Sequence, residues 1–342
     1  PWYTLATPDV AAGVVRSLLA QGREIGRIPV MSHGGRNVDC MIGNHGVSVI
    51  VDAFLKSRAG ELGGLDDIDW EAAYRLVKET LTQEHAGKIK EDWPVYDRHG
   101  YYPFDLIRAE SVSRTLECGF DDWCAAQMAE RLGHGTDAAF FARRAAGWRK
   151  VFDPSLGLVR GRDAKGGWRT PFNPYALGGG DERANDFTEG NAFQYTWHVL
   201  QDPEGLVAAM GGREAFAARL DALFALPESA EGMGTREDVT GLIGQYAHGN
   251  EPSHHVAYLY PYAGRPDRTA EVVREIVDRF YRPGPEGLCG NDDCGQMSAW
   301  YLFAAAGFYP VTPCGGDYVL GAPQVPKVTF RLPNGRTFTV EA

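Results

Sequence analysis

Carboxylates gather at two places in this chain where a glycine-bearing loop runs into an aromatic-rich stretch. The first is Glu189, in Asp186-Phe187-Thr188-Glu189-Gly190-Asn191-Ala192-Phe193-Gln194-Tyr195. The second is the pair Asp292-Asp293, in Gly290-Asn291-Asp292-Asp293-Cys294-Gly295-Gln296-Met297-Ser298-Ala299-Trp300-Tyr301. Paired acids between aromatic walls suit hydrolysis of a glycosidic bond, in which one carboxyl protonates the leaving oxygen and another activates water. Each cluster also has a plainer reading. Glu189 falls in the first turn of a predicted helix over 188–200, where a negative side chain stabilises the helix by a few tenths to ~1 kcal/mol. For Glu189 to hold a proton near neutral pH, desolvation or a second carboxylate must outweigh that dipole. Asp186 and the Asp181-Glu182 pair are the local sources of such repulsion. Asp292 and Asp293 can cap a helix over 294–306. Two adjacent acids exceed what a cap needs, and a cation together with a base would account for both.

A third segment is His248-Gly249-Asn250-Glu251-Pro252-Ser253-His254-His255. Pro252 and Ser253 read as a helix start, so a capped turn is the plain interpretation. Neighbouring histidines point in different directions on a helix, which disfavours a two-histidine zinc site. Asn250 and Glu251 offer hard oxygen ligands, better matched to calcium. A histidine beside a carboxylate can also hydrogen-bond sugar hydroxyls. Gly178-Gly179-Gly180 lacks the lysine and hydroxyl of a phosphate loop, and no Gly-x-Ser-x-Gly elbow is present.

The elements that must position these residues are predominantly helical. Helical periodicity runs from residue 8 to about 308, with Pro8 opening the first segment. Further helices are predicted over 47–57, 70–81, 112–132, 138–151, 213–226, 253–263 and 268–281. Segments 47–57 and 294–306 are apolar nearly all round, whereas 70–81 and 138–151 are clearly amphipathic. A double ring of paired inner and outer helices requires that alternation, because inner helices are covered on both sides; a simple bundle is the other option. Two long loops, 152–187 and 227–250, are expected to carry function. In the first, Arg160-Gly161-Arg162 and Gly167-Trp168-Arg169 are placed to line a cleft. Lys327–Leu332 and Arg336–Val340 alternate around Pro333-Asn334-Gly335, the pattern of a hairpin.

Composition narrows the classes. The chain has 342 residues, 44% hydrophobic and 23% charged, ample for a full core. A net charge of −11 with no basic block argues against nucleic acid or an anionic membrane as partner. No run of about 18 apolar residues exists, so no membrane span is expected. Six cysteines in this length do not make a disulfide framework. The opening Pro1-Trp2-Tyr3-Thr4-Leu5 and the unpartnered hairpin at the other end read as a fragment of a larger protein.

Taken in order, the three motifs resemble glycoside hydrolase family 92, the calcium-dependent inverting α-mannosidases. Asp39-Cys40-Met41-Ile42-Gly43 and Gly307-Phe308-Tyr309-Pro310 extend the resemblance over nearly the whole chain. It implies a mainly α fold: an (α/α)6 toroid over 1–310, a C-terminal β segment over 311–342, and a β-sandwich domain missing from this chain that would complete the pocket. It implies Glu189 as general acid, with Asp292-Asp293 supplying the base and a calcium contact, Asp292 favoured as base. Asn250 and Glu251 would complete the Ca2+ site with Asp293. Asp39, His248 and His254 would bind the sugar, and Gly249 bears on linkage preference. The expected activity is exo-acting release of terminal α-linked mannose by single displacement, with the two acids ~6.5–9.5 Å apart. A secreted or periplasmic location is implied by the family alone. Two other classes stay open: another toroidal enzyme such as a polysaccharide lyase, and a non-catalytic carbohydrate-binding domain.

Overall fold

The computed structural model describes residues 1–38, 40–60, 62–83, 92–178, 185–228, 239–332 and 335–342. Asp39 and the Asp181-Glu182 pair lie outside the described residues.

The chain starts with a short turn, α1 (Trp2–Ala6), and then α2 (Pro8–Ile25), α3 (Gly46–Arg58) and α4 (Trp70–Thr82). Pro8 occupies the first turn of α2, where a missing N–H costs nothing, and Gly26 closes it at φ +79°. α2 approaches α4 closely because Gly22 has no side chain; a Cβ there would stand 2.6 Å from Leu76 Cδ2. Asp69 caps α4 by accepting from the N–H of Ala72. After α5 (Trp93–His99) comes the long α6 (Ser111–Leu132), followed by α7 (Gly135–Ala145) and the single turn α8 (Trp148–Val151). Seventeen of the 22 residues of α6 are buried, polar ones included, so α6 is an inner helix. α3 packs along it: His45, just before α3, meets Glu117 and Asp121 in the first half of α6.

The second half is more broken. α9 (Ala192–Tyr195) and α10 (Pro203–Ala209) are short, and α11 (Arg213–Ala225), α12 (Pro266–Phe280) and α13 (Gln296–Ala306) are full helices. The strands form five separate antiparallel pairs among the described residues, and none closes into a barrel. Lys327–Arg331 and Thr337–Glu341 pair as the expected hairpin, with Phe330 and Phe338 stacked on its face against Phe308. The mainly helical expectation is met. Among the described residues no helix is long and apolar enough to cross a membrane, and all six cysteines are free.

Four predicted helices differ in detail. The 138–151 segment divides into α7 and α8, because Ala146-Gly147 turns the chain; a Cβ on Gly147 would sit 2.4 Å from the carbonyl of Gly100. The 188–200 segment shrinks to the one turn of α9. The 253–263 segment becomes three successive 3-10 turns, Glu251–Ser253, Val256–Tyr258 and Tyr260–Ala263, with Pro252 and Pro261 each opening one. α13 is not covered all round, since Ser298, Tyr301 and Leu302 form an exposed face.

Two large apolar cores result among the described residues, beside a small cluster of Tyr96, Tyr102, Ile107 and Cys118. One joins α2, α3, α4, α6 and α7 around Val51, Phe54, Val77 and Phe141. The larger joins α8 to α13 around Trp148, Tyr195, Tyr258 and Trp300. Each of those aromatic anchors is worth about 3–5 kcal/mol against alanine.

Candidate functional site

The residues with chemical potential sit at the amino ends of α3, α6, α9 and α13, and the first question is what holds the Glu189 loop there. Helix α6 has no side-chain cap of its own. The passing loop supplies one: the Asp186 carbonyl accepts from the N–H groups of Val112 and Ser113, at 3.0 and 3.2 Å. The Thr188 N–H in turn donates to Ser113 Oγ at 3.0 Å. The Asp186 side chain is buried and held by Arg169 through two bonds of 2.6 and 2.8 Å, with Ser111 Oγ at 2.6 Å. Gly161 makes room for this pair, since a Cβ there would fall 2.2 Å from Asp186 Oδ2. Asp186 is therefore neutralised and cannot supply the repulsion on Glu189 that the sequence reading asked of it. Two of the arginines in the turns expected to line a cleft are committed to the scaffold: Arg169 clamps Asp186, and Arg160 pairs with Asp153 at 3.1 Å.

Glu189 itself precedes the helix. Asn191 is the N-cap of α9 and closes a capping box with Gln194. Glu189 lies two residues earlier at φ +47°, a left-handed backbone that a non-glycine residue adopts only under constraint. The stabilisation of a first-turn carboxylate by the helix dipole does not apply. Asp293 and Cys294 share this conformation, at +45° and +55°. Of the five non-glycine residues with positive φ among those described, three flank the two acidic clusters.

The loop 248–255 bridges them. Asn250 Nδ2 donates to the Glu189 carbonyl at 2.8 Å. Glu251 lies within hydrogen-bonding range of the Asp293 carboxyl and within electrostatic range of Glu189. Its carboxyl is pushed up to about 7, first by loss of hydration and then by the charges of Asp293 and Glu189. Glu251 is nonetheless open to solvent. An accessible side chain surrounded by protein on most sides lies in a concavity, and that reading reconciles the two facts. Asp292 uses Oδ1 to accept from the N–H and Oγ–H of Ser298, at 3.0 and 2.9 Å, which secures the start of α13. Three distant stretches thus bring Glu189, Glu251 and Asp293 together.

His248 and His254 take a different place from the sugar contacts expected of them. Tyr281 Oη donates to the Met297 carbonyl at 3.0 Å, so it accepts from His248 Nε2 at 2.7 Å, and Tyr246 donates to Nδ1 at 2.8 Å. His254 Nε2 donates to the His248 carbonyl at 2.9 Å while Nδ1 accepts from Gln296 at 3.1 Å. Both rings are buried with both nitrogens engaged, leaving no hydrogen bond for a ligand. Burial holds them neutral, His254 down to about 4. They fasten the 248–255 loop to α13, and Trp300 Nε1 adds a bond to the His254 carbonyl at 2.8 Å.

The sequence reading missed a second polar unit beside the Glu189 loop. His45 lies between Glu117 and Asp121, and Tyr195 donates to Glu117 at 3.0 Å. The spacing of the two acids, one helical turn apart, was the available signal. It was hidden within the apolar stripe of Leu116, Phe120 and Trp123.

The donor set can be tested against a cation. Among the described residues no group of three or more His, Cys, Asp or Glu side chains is placed to hold a metal ion. Glu251, Asp293 and the Asn250 amide are all oxygen donors around a like-charge cluster that a divalent ion would relieve. Such a set fits a hard cation completed by water or ligand oxygens.

Comparison with known proteins covers the whole chain. Residues 1–342 match the profile of the glycosyl hydrolase family 92 catalytic domain. A family 92 α-mannosidase from Bacteroides thetaiotaomicron, solved with mannoimidazole, superposes with a TM-score of 0.88 at 42% identity, over 100% of this chain and 44% of its own. An inverting family 92 mannosidase from the same organism gives 0.85 at 38% identity, over 100% and 46%. An uncharacterized secreted glycosidase from Arthroderma benhamiae is 28% identical over 331 residues, 87% of this chain and 39% of the relative. The chain spans less than half the length of these relatives.

Proposed function

The chain belongs to glycoside hydrolase family 92, and from that premise we propose that it carries the catalytic centre of an exo-acting α-mannosidase that works by inversion. The reading is carried by the electrostatic contact of Glu251 with Asp293 and Glu189, contributed by three distant stretches of chain. The mannosidase relatives support the substrate class.

In the proposed reaction Glu189 gives its proton to the departing glycosidic oxygen as the bond to the anomeric carbon breaks. A water attacks that carbon from the opposite face and loses a proton to Asp292, so an α-linked substrate yields β-mannose. The Ser298 bonds to one oxygen of Asp292 fix the carboxylate and leave the other oxygen for the water. Glu251, Asp293 and Asn250 would hold Ca2+, which supplies Lewis-acid polarisation of the sugar hydroxyls when bound. Asp39 is proposed to hold the sugar hydroxyls. The relative named as secreted supports an extracytoplasmic location.

The test is release of mannose from an α-mannobiose by the full-length protein, with the anomer followed by NMR. Loss of activity with EDTA and with Glu189→Gln is expected. Activity that survived both treatments would remove the assignments of acid and metal. An unsaturated product would mark a lyase instead.

A further inference from the structure

Among the described residues, His45 is held between two carboxylates of α6. Its Nδ1 lies 3.1 Å from Asp121 Oδ1 and its Nε2 lies 3.2 Å from Glu117 Oε2. Both carboxylates are buried on one face of α6, yet the imidazole side chain is 46% exposed. One edge of the ring meets solvent, but the protein packed around the rest strips hydration and works against the imidazolium; the Asp121 charge and the hydrogen bonds of both acids outweigh this and raise its pKa well above the usual value. Burying two acids one turn apart on an inner helix is costly unless a cation lies between them. Gly43, at φ +68°, leaves the space: a Cβ there would meet His45 Nε2 at 2.7 Å.

The unit reaches the acid loop in two steps. Glu117 uses its other oxygen to accept from Tyr195 at 3.0 Å. The Tyr195 ring lies against Gly190, where a Cβ would come within 3.2 Å of it, and Gly190 follows Glu189 directly. Tyr195 also lies in the electrostatic field of Glu189. We propose that His45 is a positioning residue for Glu189, acting through Glu117 and Tyr195 to hold the left-handed backbone from which the acid projects. His45 also neutralises Glu117, so its loss leaves an unbalanced charge beside the acid. The inference rests on Glu189 being the proton donor.

The experiment compares two substrates in the full-length protein: an α-mannobiose, whose leaving group needs a proton, and 2,4-dinitrophenyl α-mannoside, whose leaving group does not. His45→Gln should lower kcat on the disaccharide by about tenfold or more and change kcat on the aryl mannoside by no more than about threefold. Tyr195→Phe keeps the ring and removes the hydroxyl's bonds to Glu117 and Ser113, so it should show the same selectivity with a smaller loss. It decides the question if His45→Gln does not fold. Equal losses on both substrates, or no loss on the disaccharide, would overturn the assignment while leaving the mannosidase reading intact. A wild-type protein that cleaved neither substrate would overturn the mannosidase reading itself.

Discussion

The carboxylates behind the Glu189 loop and those at its mouth are treated in opposite ways. Behind it, Asp186 faces Arg169, Asp153 faces Arg160 and Asp122 faces Arg144, all within 3.1 Å. At the mouth, Glu251 faces Asp293 and Glu189. The scaffold neutralises these three buried acids locally, because an uncompensated charge costs several kcal/mol. At the mouth like charges converge, which is tolerable where Glu251 and Asp293 are exposed to solvent and useful to a cation or a proton. The difference separates residues that hold the site from residues that act in it, although both are acids near one loop.

The comparison can be broken at several points. The largest effect is expected at Glu189: Glu189→Gln should lower turnover of an α-mannoside by about 10²–10⁴-fold without changing the melting temperature. Arg169→Met attacks the scaffold instead. It leaves Asp186 buried and unpaired, so unfolding by urea should show a loss of about 3–5 kcal/mol. Turnover should fall with it, because the Glu189 loop loses its anchor.

Two pH effects of opposite sign sharpen the contrast. Glu251 has a native pKa raised above its unfolded value, so between about 4.5 and 7 the folded state binds more protons and stability falls as pH rises. Glu251→Gln should therefore raise the melting temperature at pH 8, in cation-free buffer, and have little effect at pH 5. The buried histidines oppose this. His254 and His255 are lowered to about 4, so the unfolded state binds the extra protons below about 6.5 and stability falls as pH drops towards 4. A loss on the order of 1 kcal/mol per pH unit for each histidine is expected from melts between pH 7 and 5. Replacing His255 by a neutral isostere should flatten that slope.

The long helices were legible because their periodicity is strong and their ends are marked: Pro8 and Gly26 around α2, Asp69 before α4, Gly133 after α6. The 253–263 stretch was not, because Pro252 and Pro261 are as compatible with a helix start as with a 3-10 turn. The acids were legible as types in context. The partner of Asp186 was not, since Arg169 lies 17 residues away across a turn with no periodic signal. The histidines misled for a related reason: residue type shows that a ring can bind a ligand, and only its neighbours show whether its nitrogens are already used.

The sequence by itself determined the helical class, the terminal hairpin and the three motifs that carry chemistry, because local propensity and ordered spacing survive without a fold. Tertiary structure decided which acid is neutralised, which is crowded by others, and which histidine is charged. Those properties depend on burial and on partners brought from 17 to 78 residues away, and no local pattern encodes them.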